Sequence, residues 1–194
     1  MNEKPILFSG PMVRAILEGT KTQIRRVMKF KFPPNWNNIQ VEYISKYTAL
    51  VTYRAFPGGR IARWEMCSCP YGNHGDRLWV RETFAINKSY DSLKVRTAYE
   101  AMAGDVSGCV AYAAESETKN WRGKWRPSIF MPRWASRITL EITNVRVQKL
   151  REIDEKGARA EGCRTDETGF VKEHFADLWD SINAKRGLGW ETNP

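Results

Sequence analysis

From Ser136 to Lys149 apolar residues fall on alternate positions: Ile138, Leu140 and Ile142, then Val145 and Val147 in the opposite phase. A side-chain period of two belongs to an extended strand with one covered face. The slip of phase near Asn144 predicts a bulge. A second region, Val41 to Tyr53 and Arg60 to Met66, carries β-branched and aromatic residues in rough alternation around Pro57-Gly-Gly59, which predicts a hairpin. Leu78, Val80 and Thr83 suit a further strand. Strands this short need partners, so the chain is constrained to a sheet-based fold.

Helical periodicity is confined to the two ends. Ser9 can cap and Pro11 can open a short helix to about Glu18, with Met12, Val13, Ile16 and Leu17 on one face and Gly19 as its stop. Asp154 to Glu161 reads as a second helix. Glu167 to Ala184 reads as a third, with Phe170, Phe175, Leu178, Trp179 and Ile182 on its apolar face. Lys21 to Lys29 reads as extended and Pro33 to Asn38 as a loop. Ala85 to Arg126, rich in Ser, Gly and charge, reads as an insertion or long loops. The expected architecture is α+β: one domain over 1–194, a small curled sheet or barrel with flanking helices, an inserted loop region at about 85–126 and a helical C-terminal part at 153–184. At 194 residues and 42% hydrophobic content, a core of useful size is available.

The apolar run near Met1 is too short for a secretory leader, and no window approaches the ~20 apolar residues of a membrane span. The four cysteines (Cys67, Cys69, Cys109, Cys163) lack the spacing of a disulfide framework. A reduced cytoplasm is the expected compartment.

Charge narrows the choice of ligand. Lys and Arg number 31 against 22 Asp and Glu, a net charge of +9, which favours an anionic partner, nucleic acid before a membrane surface. Sign is also segregated: Arg clusters at a few segments while Asp and Glu collect after Leu150. Gly19-Thr-Lys-Thr-Gln-Ile-Arg-Arg26 sets Lys21, Arg25 and Arg26 after a turn as a cationic wall, with Lys21 able to contact phosphate or, if desolvated, to act as a base. A solvated basic strand edge would have the same sequence. In Gly75-Asp-Arg-Leu-Trp-Val-Arg-Glu82, Trp79 and Arg81 share one strand face while Glu82 shares the other with Val80. Glu82 could accept from the amine of a base or pair with an Arg, and Trp79 could stack a base or fill the core. Between Lys119 and Arg137, six cations interleave with Trp121, Trp125 and Trp134. Aromatic stacking contributes about 1–3 kcal/mol per base, so this segment, with Arg133, Trp134 and Arg137, is a candidate nucleic-acid surface; Trp as core filler is the plain alternative.

Metal and triad chemistry are disfavoured. Cys67-Ser-Cys69 with His74 lacks the Cys-x-x-Cys spacing of structural zinc sites and reads as a turn closed by Pro70-Tyr-Gly72. No phosphate-binding Gly-rich loop and no Gly-x-Ser-x-Gly elbow occurs. With two His in the chain, His-based triads are nearly excluded. No cofactor and no metal are expected.

Five stretches carry a family resemblance: Pro5-Ile-Leu-Phe-Ser-Gly10, Gly19 to Arg26, Cys69-Pro-Tyr-Gly72, Gly75 to Glu82, and Pro127-Ser-Ile-Phe-Met-Pro-Arg-Trp-Ala-Ser-Arg-Ile138. Together they resemble the ASCH domains, in particular the larger version carried by phages and prophages. The resemblance implies a PUA-like β-barrel with a cleft, a fold used by readers of RNA and of modified bases. It implies nucleic acid, RNA rather than DNA, or a modified nucleoside as partner, with Thr22, Arg25, Arg26, Trp79, Arg81, Glu82, Arg133, Trp134 and Arg137 as candidate contacts. Small bacterial relatives of this domain include an N4-acetylcytidine amidohydrolase whose site is a Lys, a Thr three residues later and a Glu on a later helix. By position these imply Lys21 and Glu161 as catalytic groups, with Ile24 where the Thr would stand. Phe130 likewise stands where phage-type members carry His. Ile24 offers neither nucleophile nor donor, so the resemblance leaves open a binding module, a hydrolase using water with Lys21 or Glu161 as base, a nuclease, or a phage factor directed at a host protein. On its own Glu161, in Ala160-Glu-Gly162, would read as an exposed charge at a helix end.

Overall fold

In chain order the elements are β1 (Glu3–Leu7), α1 (Gly10–Leu17), β2 (Asn37–Ser45), β3 (Thr48–Arg54), β4 (Ile61–Cys67), β5 (Arg77–Arg81), β6 (Phe84–Ile86), α2 (Val95–Ala101), β7 (Val110–Tyr112), β8 (Thr139–Glu141), α3 (Glu155–Ala160) and α4 (Val171–Asn183). This computed structural model describes residues 2–27, 37–45, 48–54, 61–67, 69–115, 120–164 and 170–193, with the backbone alone for the three strands between 37 and 67. No helix among these residues is long and apolar enough to cross a membrane. The chain forms two compact units, each assembled from two separate stretches: Met1–Leu17 with Tyr71–Thr143, and Glu18–Pro70 with Asn144–Pro194. The crossings fall beside Gly19, at Pro70 and before Asn144.

In the first unit, β1 runs parallel to β5, with Ile6 opposite Val80, and β8 pairs antiparallel on the other side of β5, with Leu78 opposite Leu140. Ile6, Leu78 and Val80 are buried. Pro5 is tolerated because β1 is an edge strand. The alternation after Ser136 overstates the strand. Only Thr139–Glu141 is regular, and two backbone bonds, Ile142 N–H to Asp76 O and Gly75 N–H to Ile142 O, extend the pairing to Ile142. The phase slip at Asn144 is therefore no bulge in a paired strand; it coincides with the passage into the second unit.

The region read as an insertion or long loops holds regular elements that contribute to the core. β6 pairs with β7, and α2 contributes Ala98, with Met102 just beyond its end. Phe84, Ile86, Ala98, Met102, Val110, Met131 and Ala135 form one buried cluster. Strands of three residues are too short to display a period, which hid them among Ser, Gly and charge.

The second unit opens with an antiparallel sheet in the order β2-β3-β4. The run expected as one strand from Val41 to Tyr53 is two, so the predicted hairpin is a three-stranded meander. Its Pro57-Gly-Gly59 turn, the loop expected at Pro33 to Asn38 up to residue 36, and Lys119 lie outside the described residues. Pairing ends at Lys21 in the stretch expected to be extended; residues 22–27 carry no regular structure. α3 begins at Asp154, whose Oδ1 accepts the Gly157 N–H at 2.7 Å. α4 buries Val171, Phe175 and Trp179 at four-residue spacing against Leu150, Ile153, Ala158 and Cys163. Phe170, Leu178 and Ile182, expected on the same face, are exposed, because the buried stripe is narrower and offset from them. Helix and strand are mixed throughout. Among the described residues the strands form three separate sheets and no closed barrel.

Candidate functional site

In the second unit, the way α3 ends brings Glu161 to Lys21. Gly162, at φ +89°, takes the left-handed conformation that few side chains tolerate. Its N–H bonds to Arg159 O at 2.8 Å and the Cys163 N–H to Ala158 O at 3.2 Å, the two bonds of a Schellman ending. The C-cap residue this leaves is Glu161. On the opposing segment, the Thr22 and Gln23 N–H groups both donate to Ala160 O at 2.8 Å, and Lys21 forms a β-bridge with Glu161.

Those backbone bonds hold the side chains face to face. Lys21 Nζ donates to Glu161 Oε2 at 2.8 Å and to the Glu161 carbonyl oxygen at 2.6 Å. Arg25 Nη1 donates to Oε1 at 3.0 Å. The side chains of Lys21 and Glu161 are 3% and 6% exposed, that of Arg25 16%. Arg25 also reaches Gln148, and Gln23 takes a 3.0 Å bond from Arg146. A carboxylate at a helix C-terminus opposes the helix dipole; here Lys21 answers both the carboxylate and the Glu161 carbonyl, and Arg25 the carboxylate alone. Glu161, expected to be exposed, is buried because Lys21 returns over it from 140 residues away. Two cations surround one carboxylate, so the cluster carries an excess positive charge.

The neighbours qualify what this cluster can do. Ile24 is half-buried and brings no hydroxyl. Thr22 and Arg26 are exposed beside it. Cys163 is buried, and burial pushes its thiol up; Lys21 pulls the other way and Glu161 adds to the rise. It therefore stays a thiol, unsuited to nucleophilic attack near neutrality.

The first unit holds a separate charged cluster. Glu82 is buried and accepts two bonds from Arg137, from Nε at 2.9 Å and Nη2 at 3.2 Å. Glu115 pairs with Nη1 of the same guanidinium, whose carbon lies 3.9 Å from the Tyr112 ring centroid. Burial pushes the Glu82 carboxyl up, more than Arg137 holds it down. Of the two options for Glu82, this side chain takes the Arg. Trp79 is buried with Arg81 4.8 Å over its ring, and Arg81 Nε donates to Met131 O at 2.9 Å. Trp134 is half-buried and stacks on Tyr99 at 5.2 Å between centroids. Arg133 is exposed and pairs with Glu3. The indoles and Glu82 thus already have partners within the protein.

The two residues separated by 140 positions, Lys21 and Glu161, are brought into contact, and Arg25 joins them; Trp79, Arg81, Glu82, Arg133, Trp134 and Arg137 belong to the other unit. Arg146, Gln148, Tyr112 and Glu115 carry no signal in the sequence, because a single polar residue far along the chain does not mark its spatial partner. Among the described residues no group of three or more His, Cys, Asp or Glu is placed to hold a metal. Comparison with family models, with curated proteins and with solved structures gives no match.

Proposed function

We propose that this protein binds nucleic acid or a modified nucleoside, RNA rather than DNA, through a PUA-like domain of the ASCH type acting in the cytoplasm, with Lys21, Arg25 and Glu161 as the polar centre of its site. The observation that carries this reading is the burial of two cations against one carboxylate. Desolvating such a group costs several kcal/mol per ion and apolar replacements are often as stable, so stability alone is a weak reason to have it. The excess positive charge suits a phosphate or a carbonyl oxygen, and Glu161 suits the exocyclic amine of a base. The ASCH resemblance assigns site roles to Lys21 and Glu161, and the net charge of +9 favours a polyanion. Thr22 and Arg26, exposed on the same segment, would line the approach.

The 2.8 Å contact of Lys21 with Glu161 favours a second reading, hydrolysis of an N4-acylated cytidine. Glu161 would take a proton from water as the oxygen attacks the acyl carbon, Lys21 would stabilise the oxyanion, and the proton would pass to N4 as the C–N bond breaks, giving a carboxylic acid and cytidine. Ile24 in place of the family's Thr requires water to be the nucleophile.

Calorimetric titration with cytidine, N4-acetylcytidine and short RNA separates these. The binding reading predicts saturable binding that Lys21→Met and Arg25→Gln weaken at least tenfold without loss of fold; unchanged affinity in both variants refutes the assigned site. Chromatographic release of cytidine from N4-acetylcytidine, abolished by Lys21→Met, would establish the second reading. Intact substrate after prolonged incubation would dismiss it.

A further inference from the structure

From Asn120 to Arg137 the sequence holds five cations and no Asp or Glu. Three of these cations are engaged within the protein: Arg126 with Asp91, Arg133 with Glu3 and Arg137 with Glu82. Arg122 has no ion pair among the described residues. Its guanidinium lies 4.3 Å from the ring centroid of Trp125, which stays 40% exposed. Lys124 beside it is exposed. Three residues beyond Trp125, the short 3-10 turn Ser128–Phe130 begins and displays Ile129 at 58% and Phe130 at 65% exposure.

Arg122 is half-buried, with its Nη1 donating to Gly123 O at 2.9 Å, whereas Lys124, Trp125, Ile129 and Phe130 are held out on a fixed frame. Arg126 exchanges both backbone bonds with Phe84, at 2.7 and 3.1 Å. Met131 is fully buried, its carbonyl bonded by Arg81 and its sulfur by the Glu82 N–H. Pro127 and Pro132 bracket the turn, whose Phe130 N–H returns to Pro127 O at 3.0 Å. Single exposed apolar residues are ordinary. Three large ones within six positions, on an anchored segment whose unpaired charge is positive, point to a ligand.

We infer that Arg122, Lys124, Trp125 and Phe130 form a platform for single-stranded nucleic acid, with bases stacking on Trp125 and Phe130 and phosphates meeting Arg122 and Lys124. The proposal rests on the nucleic-acid reading above and narrows it to single strands, since only unpaired bases offer a free ring face. Positive charge with aromatic faces complements a strand of phosphates and bases. Five residues of chain reach at most about 18 Å, so the two rings can serve one short strand.

Fluorescence titration with oligouridine and oligodeoxythymidine of about 8–12 nucleotides, a duplex of equal length and phosphatidylserine vesicles provides the test. Trp125→Ala and Phe130→Ala remove exposed rings and leave the fold intact. Each should weaken single-strand binding about 5- to 150-fold, with duplex affinity unchanged. Arg122→Ala should lower the salt slope for the strand by roughly 0.7. Wild-type strand affinity in both aromatic variants overturns the platform, as does an equal loss on duplex, or binding to vesicles without binding to oligonucleotides. A cytidine titration of Lys21→Met, run beside these variants, separates the two claims. If Trp125→Ala loses strand binding while Lys21→Met keeps nucleoside affinity, the platform stands and the Lys21 site falls.

Discussion

Glu161→Gln, Lys21→Met and their combination form a double-mutant cycle on the buried cluster. Removing the carboxylate strands two cations, one of them with a side chain only 3% exposed; breaking a buried pair in this way costs about 3–5 kcal/mol. Lys21→Met is expected to cost less, because Glu161 keeps Arg25 at 3.0 Å and Met fills the aliphatic path of the lysine. In the double variant no ammonium remains buried and Arg25, 16% exposed, reaches water more readily. Its loss should fall short of the sum of the single losses by about 0.5–3 kcal/mol. Against a total of about 5–15 kcal/mol, the Glu161→Gln effect is large enough to measure by urea unfolding followed by circular dichroism. Strict additivity, or a Glu161→Gln loss below about 1 kcal/mol, would refute the claim that the three groups share one desolvated site.

Three shorter predictions concern the surroundings of the two clusters. Burial raises the Glu82 carboxyl above its ordinary value of 4.5, so the folded state binds the proton more tightly than the unfolded chain and stability falls as pH rises from that value through the raised one; Glu82→Gln should flatten this slope in thermal scans, and an unchanged slope would assign it elsewhere. Gly162→Ala forces a Cβ onto φ +89° and should cost about 1–2 kcal/mol, read as a Tm drop of about 2–4 °C per kcal/mol; a neutral substitution would argue against the Schellman ending of α3. Cys163 is buried with its thiol pushed up, so peptide mapping after iodoacetamide treatment near neutral pH should find it unlabelled in native protein and labelled after unfolding, and native labelling would contradict its placement.

How much of this was legible in the sequence depended on the length of the pattern. α1 is announced by Pro11 and Gly19, residues whose backbone chemistry is local, and the strand centred on Leu78 and Val80 by its alternation. The three-residue strands β6 and β7 are not, since alternation cannot be seen over three positions and their core role emerges only when Phe84, Ile86 and Val110 meet Met102 and Met131. The phase slip at Asn144 was visible but what it marks was not, because a bulge and a passage between two units disturb a period alike. On α4 the sequence pattern puts five apolar residues on one face, yet only the residues at four-residue spacing are covered; tertiary contacts choose among apolar positions that the sequence weighs equally. At the site, the residues around Lys21 were marked by their charge, whereas the burial of Glu161 required knowing that Ala160 accepts the Thr22 and Gln23 N–H groups. The indoles illustrate the converse. Trp79 and Trp134 stood in the most suggestive motifs and are occupied by Arg81 and Tyr99, while Trp125, in a less regular stretch, keeps an exposed ring.

The most direct test is calorimetric titration of the wild-type protein and its folded Lys21→Met variant with N4-acetylcytidine, cytidine and short RNA at fixed salt. The wild type should bind at least one of these ligands saturably, and the variant should bind it tenfold or more weakly. Equal affinity in the two proteins, or no binding of any of the three by a folded wild type, would contradict the assignment.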